Sequence, residues 1–278
     1  MKKRLDEILV DLNHFENRSK SKSNIIVGNV IVNNEKITKP GTLFNPEKLN
    51  IQLINQNQER FVSRAGSKLY KAIIKYGLNL DGLVCLDIGS STGGFSDCCL
   101  QMGASLVYAV DVGTNQLDYR LRTNPKIVSM EKLNFRDVKI DMFEKEINFF
   151  CCDVSFISLK HILPPLKDIV KVNTFGVLLI KPQFESSREN VKAGKINSKN
   201  VHIEVIESVF NYLNINYFDV IEIDFSPILG NKKKNIEYIT VVKKRQDKKK
   251  ETNKDINSII NCVNSAWDFF KDNDYERI

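Results

Sequence analysis

The chain has 278 residues, of which 42% are hydrophobic and 27% are charged, and its formal net charge is +7 at pH 7. This length and hydrophobic content exclude a wholly disordered chain, and no run approaches the ~20 apolar residues of a membrane-spanning helix. The positive charge favours an anionic partner, and both nucleic acid and a membrane surface would fit it.

The first 60 residues predict a small α+β unit. Apolar residues recur at helical spacing from Leu5 to Leu12, and acidic residues interrupt the apolar positions. This pattern is typical of an amphipathic helix and not of a secretory signal. After a polar, basic segment, Asn33-Asn34 separates two β-prone stretches, which predicts a hairpin.

From Phe61 onward, short apolar runs alternate with helical patterns. The predicted strands are "LVCLDIG", "SLVYAVDVG", "KIVSME", "INFFCCDVSF", "FGVLLIKP", "YFDVIEIDFSP" and "EYITVVKK". Continuous apolar runs separated by helices indicate a parallel sheet that is covered on both faces. The last two strands lie close together in sequence, so we expect an antiparallel edge. The predicted fold class is therefore α/β, with a mostly parallel seven-stranded sheet and a small N-terminal α+β domain.

Residues 246–278 predict a basic linker and a final helix. The charged run at 243–254 is typical of a solvated linker. Apolar residues from Ile256 to Phe270 then follow one helical stripe. Such a stripe predicts a helix docked on its own domain, and a helix that binds a partner is the alternative.

Cysteine and histidine spacing predicts no metal site. Cys98-Cys99 and Cys151-Cys152 are adjacent pairs, and the sequence contains no C-x-x-C. Neighbours in sequence do not readily bridge each other or share a tetrahedral metal. We therefore expect buried, reduced thiols in a cytoplasmic protein.

The stretch "DIGSSTGGFSD" at residues 87–97 follows a predicted strand, where α/β sheets bind ligands. It matches neither the phosphate loop of ATPases nor the G-x-G-x-x-G of dinucleotide binders. Asp87 ends this strand, and Asp111 ends the next one at the ~20-residue offset at which a carboxylate accepts ribose hydroxyls. The arrangement suits S-adenosylmethionine, with Asp87 near its ammonium group and Asp111 on its ribose.

Further motifs extend over residues 61–240, namely "FVSRAGSKL", "CLDIGSSTGGFSD", "VYAVDVG", "CCDVSFISL", "LIKPQFE" and "NIEYI". With them the chain resembles the TlyA (hemolysin A) family of RNA 2′-O-methyltransferases, whose catalytic domain is of the FtsJ type. Residues 4–40 resemble the family's N-terminal RNA-binding module of the αL, or S-four, type. The resemblance implies an RNA-binding domain at 1–60 and a Rossmann-like methyltransferase domain at 61–245. It also implies S-adenosylmethionine as cofactor and ribosomal RNA, within ribosomal subunits, as partner.

The FtsJ-type resemblance implies a catalytic tetrad, which falls on Lys68, Asp153, Lys181 and Glu237. A ribose 2′-OH is a poor nucleophile at neutral pH, so an enzyme must position it and remove its proton. A lysine can be that base only if its pKa falls from ~10.4, and burial beside a second lysine lowers it. We expect Lys181 to be the base and the other three to position it. The alternative is that charged lysines stabilise a developing alkoxide.

The remaining predicted contacts concern the cofactor and the RNA. By resemblance, the cofactor contacts are Asp87, Gly89, Ser91, Thr92, Gly93, Gly94, Phe95, Asp111, Asn134 and Asp153. The predicted RNA contacts are Lys3, Arg4, Arg18, Lys20, Lys22 and Arg64. Phe156 and Phe184 would either flank an extruded nucleotide or belong to the core, and the sequence leaves both interpretations open.

The predicted activity is methyl transfer from S-adenosylmethionine to a cytidine 2′-OH of ribosomal RNA. Two alternatives stay open at this point. A membrane-active protein would use the basic ends and the amphipathic tail on anionic lipid, although we expect no stable membrane association. A non-catalytic ribosome assembly factor would bind RNA without a working tetrad, and the four intact residue types argue against it.

Overall fold

In the computed structural model, the chain separates after Arg60 into two units, residues 1–60 and 61–278. The structure describes residues 2–15, 17–26, 28–33, 35–46, 49–53, 60–230, 233–246 and 255–272. Most of the predicted linker, residues 247–254, lies outside the described residues.

In the first unit, two helices and short antiparallel strands pack around one small hydrophobic core. Its elements are β1 (Lys3–Arg4), α1 (Leu5–Asp11), α2 (Arg18–Ile26), β2 (Val30–Val32), β3 (Glu35–Ile37), β4 (Leu43–Phe44) and β5 (Ile51–Leu53). The predicted first helix forms, with Leu5 and Leu9 fully buried. Leu12 is 49% exposed, because α1 ends one residue before it.

The predicted hairpin joins β2 and β3, which pair antiparallel. Asn33 has a φ of 54°, a left-handed conformation that asparagine tolerates, and Asn34 lies outside the described residues. The polar, basic segment before this hairpin has no apolar period, yet it forms α2. The Asn17 side chain accepts a hydrogen bond from the Lys20 N–H at the start of that helix.

Seven strands form the central sheet of the second unit. They are β6 (Val84–Ile88), β7 (Leu106–Val110), β8 (Ile127–Met130), β9 (Phe149–Cys152), β10 (Phe175–Ile180), β11 (Phe218–Phe225) and β12 (Tyr238–Lys244). Their spatial order is β11-β12-β10-β9-β6-β7-β8. β12 runs antiparallel to β10 and β11, and the pairs among β6 to β10 are parallel. The predicted mostly parallel sheet is confirmed, and its antiparallel strand lies one place in from the edge.

Helices cover both faces of this sheet. They are α3 (Ala65–Tyr76), α4 (Gly94–Gln101), α5 (Tyr119–Arg122), α6 (Leu163–Ile169), α7 (Pro182–Glu185), α8 (Lys199–Ile215) and α9 (Ile256–Asp272). Leu86 and Phe150 belong to one hydrophobic cluster, while their chain neighbours Cys85 and Phe149 belong to another. Because successive strand residues point to opposite faces, these clusters are the cores of the two faces.

The C-terminal helix α9 packs on α8 and β11. Ile259, Val263 and Ala266 are buried in the core of one sheet face, so the helix docks on its own unit. The six cysteines are buried free thiols. Among the described residues, no helix is long and apolar enough to cross a bilayer, and no group of histidine, cysteine and acidic residues could hold a metal ion.

Candidate active site

Four strands bring three of the predicted tetrad residues to one edge of the sheet. β6 and β9 run side by side in register, so Gly89 and Asp153, which follow them, are neighbours. β10 pairs with the antiparallel β12, so Lys181, which follows β10, lies beside Glu237, which precedes β12. The carboxyl ends of parallel strands therefore meet the amino end of the one strand that runs the other way.

Lys68 reaches the same point from α3. This helix ends at Gly77, whose φ of 63° is the left-handed conformation of a helix C-cap. Leu69 and Ala72 bury the inner face of the helix in the core. Lys68 lies on that inner side and is only 7% exposed, so it is not an ordinary surface lysine.

The four side chains form one connected cluster. Lys68 Nζ lies 2.7 Å from Glu237 Oε2 and 3.3 Å from Asp153 Oδ2. Lys181 Nζ lies 2.6 Å from Asp153 Oδ1. The most exposed of these side chains is Asp153, at 12%. The structure thus brings the four predicted residues together, with Asp153 bridging the two lysines.

Charge pairing outweighs burial in this cluster. Burial disfavours the charged form of Lys68, but the carboxylates of Asp153 and Glu237 raise its pKa above the usual value. Burial likewise opposes the charge on Asp153, but Lys68 and Lys181 hold its pKa below the usual range. Lys68 and Asp153 are therefore a charged pair at neutral pH.

Ser155 contacts the cluster, and the sequence analysis did not single it out. Its Oγ accepts a hydrogen bond from Lys181 Nζ at 2.9 Å. Alternate residues of extended backbone share one side, and Ser155 lies two residues beyond Asp153 in "DVSFISL". That spacing is a signal that could have identified it.

An aromatic cleft of about 520 Å³ opens beside Lys181. Its lining consists of Arg136, Phe156, Ile157, Ser158, His161, Gln183 and Phe184. The Phe156 and Phe184 ring centroids are 4.9 Å apart, and Lys181 Nζ lies 6.0 Å from the Phe184 centroid. Phe156 is 84% exposed at a φ of 64°, so the core interpretation is wrong for this ring.

Glu185 fixes the loop that carries Phe156. Its carboxylate accepts hydrogen bonds from the Ser158 hydroxyl at 2.5 Å and the Leu159 N–H at 2.9 Å. Burial raises the pKa of this carboxyl group, and the two hydrogen bonds oppose the rise. Both aromatic rings are thus held by one short stretch after Lys181.

The glycine loop lies at the same edge. Gly89 has a φ of 79°, and a Cβ there would lie 3.0 Å from the Val154 side chain and 3.2 Å from the Asp153 carbonyl oxygen. Only glycine therefore lets the loop run against the strand end that carries Asp153. This contact puts the loop directly beside the tetrad.

Asp111 is tied to the loop by backbone hydrogen bonds. It accepts from the N–H of Ser91 at 2.8 Å and from the N–H of Gly113 at 2.7 Å. A carboxylate offers about four acceptor positions, so two remain for further donors. Asp111 is partly exposed, and its contact with a cofactor ribose stays a prediction.

Two residues predicted to contact the cofactor lie beneath the loop instead. Asp87 is 0% exposed and accepts a hydrogen bond from Ser96 Oγ at 2.6 Å, and burial raises its pKa to about 7. Phe95 is 2% exposed in the core. The predicted direct contact of these side chains with a ligand is therefore corrected, because α4 covers the strand on which Asp87 lies.

Of the other predicted cofactor contacts, some pack against neighbouring side chains and others are accessible to solvent. A Cβ on Gly93 would lie 2.3 Å from the Leu121 side chain, and one on Gly94 would lie 2.2 Å from Ser63 Oγ, so both glycines serve packing. Thr92 is exposed at the rim. Asn134 is half-buried, and its side-chain oxygen accepts the N–H of Arg136.

The predicted RNA contacts of the first unit surround a buried acid. Asp6 is fully buried and lies 2.9 Å from Arg4 Nε, 3.0 Å from Arg18 Nη2 and 4.0 Å from Lys22 Nζ. Arg18 also pairs with Glu7 at 2.9 Å. Three cations around Asp6 and Glu7 leave this cluster with a net positive charge.

The remaining predicted RNA contacts are more dispersed. Lys3 is exposed and pairs with Asp11, and Lys20 is half-buried on α2. Arg64 belongs to the second unit, where it lies one helical turn before Lys68. The structure therefore does not gather these six cations into one cluster within a single unit.

The chain matches the FtsJ-like methyltransferase family over residues 61–244, a span that includes the whole tetrad. The chain belongs to this family. It is 41% identical to Hemolysin A of Brachyspira hyodysenteriae over 238 residues, which are 85% of this chain and 98% of that protein. The 16S/23S rRNA (cytidine-2′-O)-methyltransferase TlyA of Mycobacterium tuberculosis (strain CDC 1551 / Oshkosh) is 32% identical over 193 residues, 69% of this chain and 72% of that protein.

A solved structure of a hemolysin candidate from Streptococcus thermophilus is 38% identical and has a TM-score of 0.77, and the match covers 98% of each chain. The resemblance to the TlyA (hemolysin A) family is thereby confirmed. This FtsJ-like chain has a methyltransferase fold with the tetrad at the edge where the glycine loop ends.

Proposed function

We propose that the chain transfers a methyl group from S-adenosylmethionine to a ribose 2′-OH of ribosomal RNA. The observation that carries the proposal is the buried cluster of two lysines and two carboxylates beside the glycine loop. The relative TlyA is named for cytidine-2′-O methylation of 16S and 23S rRNA, which supports the same reaction and favours cytidine as the methylated nucleoside.

The residues around the loop fit S-adenosylmethionine. The backbone of Gly89 and Ser91 lies at the carboxyl edge of the sheet, and Asp111 keeps acceptor positions for the ribose hydroxyls of the cofactor. Thr92 is exposed and Asn134 is half-buried, and both are proposed contacts of the cofactor. When bound, the cofactor supplies a methyl group on a positively charged sulfur.

Lys181 is the proposed base. Two carboxylates hold Lys68 and raise its pKa, so Lys68 keeps its proton. Lys181 contacts one carboxylate and one neutral hydroxyl, and it borders the open cleft. Its Nζ would accept the proton that the ribose O2′ loses, while Asp153 orients the amine and Lys68 balances the charge of Asp153 and Glu237.

The aromatic cleft would receive the target nucleotide. An extruded base can stack on an exposed ring, and Phe156 presents such a ring beside Phe184. Arg136 and His161 in the lining would face the phosphate backbone. The cations of the first unit would bind other phosphates of the RNA. The proposed location of the protein is the cytoplasm, where ribosomal subunits are assembled.

A methyl-transfer assay with unmodified ribosomal RNA and isolated ribosomal subunits tests the proposal. The wild-type chain is expected to transfer labelled methyl groups to ribose, and Lys181→Ala is expected to lose at least about 100-fold in kcat. Lys126→Ala removes an exposed lysine at the opposite edge of the sheet and is the matched control.

Calorimetric titration of Lys181→Ala with S-adenosylmethionine separates catalysis from binding. Unchanged affinity with lost transfer supports Lys181 as base. Full activity of Lys181→Ala removes it from that role, and a wild-type chain that transfers no methyl group to any ribosomal RNA overturns the proposed function.

A further inference from the structure

A two-residue hairpin with lysines on both sides lies close to the tetrad. Lys192 and Lys195 exchange both backbone hydrogen bonds at 2.9 Å, and Ala193 and Gly194 between them have φ angles of 50° and 82°. Two successive positive φ angles define the tight turn that matches the twist of a hairpin. The fold therefore places the two lysines directly opposite each other, as a hydrogen-bonded antiparallel pair.

This pairing is unfavourable for the isolated chain. Like charges directly opposite on paired strands repel each other, and Ala193 adds a left-handed backbone that alanine rarely adopts. Glu189 is the one acidic residue in the stretch 186–195, against three basic ones. An anion bound across the hairpin would remove the repulsion.

A neighbouring loop adds to the positive charge. The segment 230–235 reads "GNKKKN", and the described Lys233 is exposed, with its aliphatic chain lying along Gly194. Among the described residues, Lys192 and Lys233 take part in no ion pair. The basic hairpin, defined as residues 192–195 together with Lys233, is thus an uncompensated cationic surface.

Buried polar contacts fix this surface relative to the tetrad. Asn235, which is 8% exposed, donates from Nδ2 to the Gly194 carbonyl at 2.8 Å, and its own carbonyl accepts the Gly230 N–H at 2.8 Å. A Cβ on Gly230 would lie 2.7 Å from Glu237 Oε1. The basic hairpin is therefore linked to the tetrad through Asn235 and Gly230.

We propose that the basic hairpin binds phosphates of the RNA backbone beside the nucleotide that enters the site, and so forms an RNA contact that belongs to the catalytic unit itself. The inference rests on the proposed function for the identity of the polyanion. RNA is favoured because the hairpin is linked to the tetrad, and Lys181 of the tetrad borders a cleft with an exposed aromatic ring. A phosphate chain that leads to a base stacked in this cleft would continue past the tetrad.

Salt-dependent RNA binding tests this inference, with fluorescent ribosomal RNA fragments as the probe. Lys192→Gln/Lys233→Gln is compared with Lys126→Gln/Lys145→Gln, which removes two exposed lysines at the opposite, amino-terminal edge of the sheet. Each phosphate contact contributes about 0.7–0.9 to the slope of log Kd against log salt, so the hairpin variant is expected to flatten the slope by about 1.5. Its Kd for RNA is expected to rise about tenfold at physiological salt. The control variant and the affinity for S-adenosylmethionine should stay at wild-type values.

A second variant separates binding from folding. Lys192→Glu puts opposite charges across the hairpin, so it is expected to raise the Tm by about 1–2 °C while weakening RNA binding. Equal slopes for the hairpin and control variants overturn the inference even if the wild-type chain methylates RNA. A wild-type chain that binds RNA but methylates none overturns only the proposed function, and one without RNA affinity overturns both.

Discussion

Helix α3 contributes lysines to two ion-pair clusters that have different charge balance and different surroundings. In the first, Lys68 lies between Asp153 and Glu237, and these side chains are nearly inaccessible to water. In the second, Lys71 and Lys75 both pair with Asp224, at 2.9 Å and 2.8 Å, and the Lys75 side chain is 53% exposed. The two clusters lie along one side of the same helix, at positions i, i+3 and i+7.

We infer that the first cluster serves the reaction and that the second cluster stabilises the fold. Lys71 also donates to the Phe225 carbonyl at 2.6 Å and lies over the Phe225 ring, so it joins α3 to β11. The tetrad also joins α3 to the sheet, but unlike the second cluster it borders an open cleft. Buried ion pairs contribute little net stability compared with apolar packing, so a site is the better explanation for the first cluster.

The largest expected effect comes from dismantling the first cluster in steps. Lys68→Met leaves the Glu237 carboxylate buried without its counter-ion and is expected to cost about 3–5 kcal/mol of unfolding free energy. Lys68→Met/Glu237→Gln removes both charges and should recover most of that loss, while methyl transfer stays at least about 100-fold reduced. Urea unfolding and initial rates measure the two quantities. Additive stability losses would show that the two charges are not coupled and would contradict this account of the cluster.

Asp224→Asn is expected to have the reverse pattern. It should cost about 1–2 kcal/mol of stability, discounted for the exposure of Lys75, with kcat within about twofold of wild type. Lys75 and Lys71 hold the pKa of Asp224 below its usual value, against the effect of burial. The wild-type advantage should therefore be complete above about pH 4 and shrink as the pH falls through the folded-state pKa.

The matched control for this variant lies at the other end of β11. Asp219→Asn breaks the ion pair with Arg245 Nη1, which is 2.7 Å long and equally remote from catalysis. Comparable stability losses in both variants, with activity retained, would confirm two structural ion pairs. A large fall in kcat for Asp224→Asn alone would place the second cluster in the catalytic machinery.

The smallest effect concerns a contact that holds Lys181. Ser155 accepts a hydrogen bond from Lys181, so Ser155→Ala removes one contact that positions this amine. It is expected to lower kcat by less than about tenfold, with the affinity for S-adenosylmethionine unchanged. Initial rates and calorimetric titration measure the two quantities. A kcat at the wild-type value would show that this contact does not position the base.

The sequence predicted the parts of the site that follow from strand ends. Asp153 and Lys181 each follow an apolar run, and parallel strands present their carboxyl ends at one edge. Glu237 precedes its strand, so strand-end reasoning alone could not place it, and the family motif was needed. The burial of Asp87 could not be predicted from the sequence either. An acidic residue near the end of a strand has the same sequence pattern whether it contacts a ligand or a buried hydroxyl group.

The proposed RNA-binding surface was the least predictable part. The composition predicted a positive charge but not where on the surface it lies. Lysines that pair with acids and lysines that form no ion pair have the same sequence pattern. Lys192 and Lys195 became informative only when backbone hydrogen bonds placed them opposite each other. Residues brought together by a turn type, rather than by periodicity, leave a weak trace in a single sequence.

The insertion of β12 between β10 and β11 has a consequence for the order of events during synthesis. The Lys68–Glu237 contact joins residues 169 positions apart, and the strand after Glu237 is the last of the sheet to leave the ribosome. Contacts of such long range form late, because the chain between them must first be ordered. A nascent chain would therefore hold its glycine loop and three tetrad residues before it could act. Completion of the tetrad would then wait until the last strand of this sheet has left the ribosome.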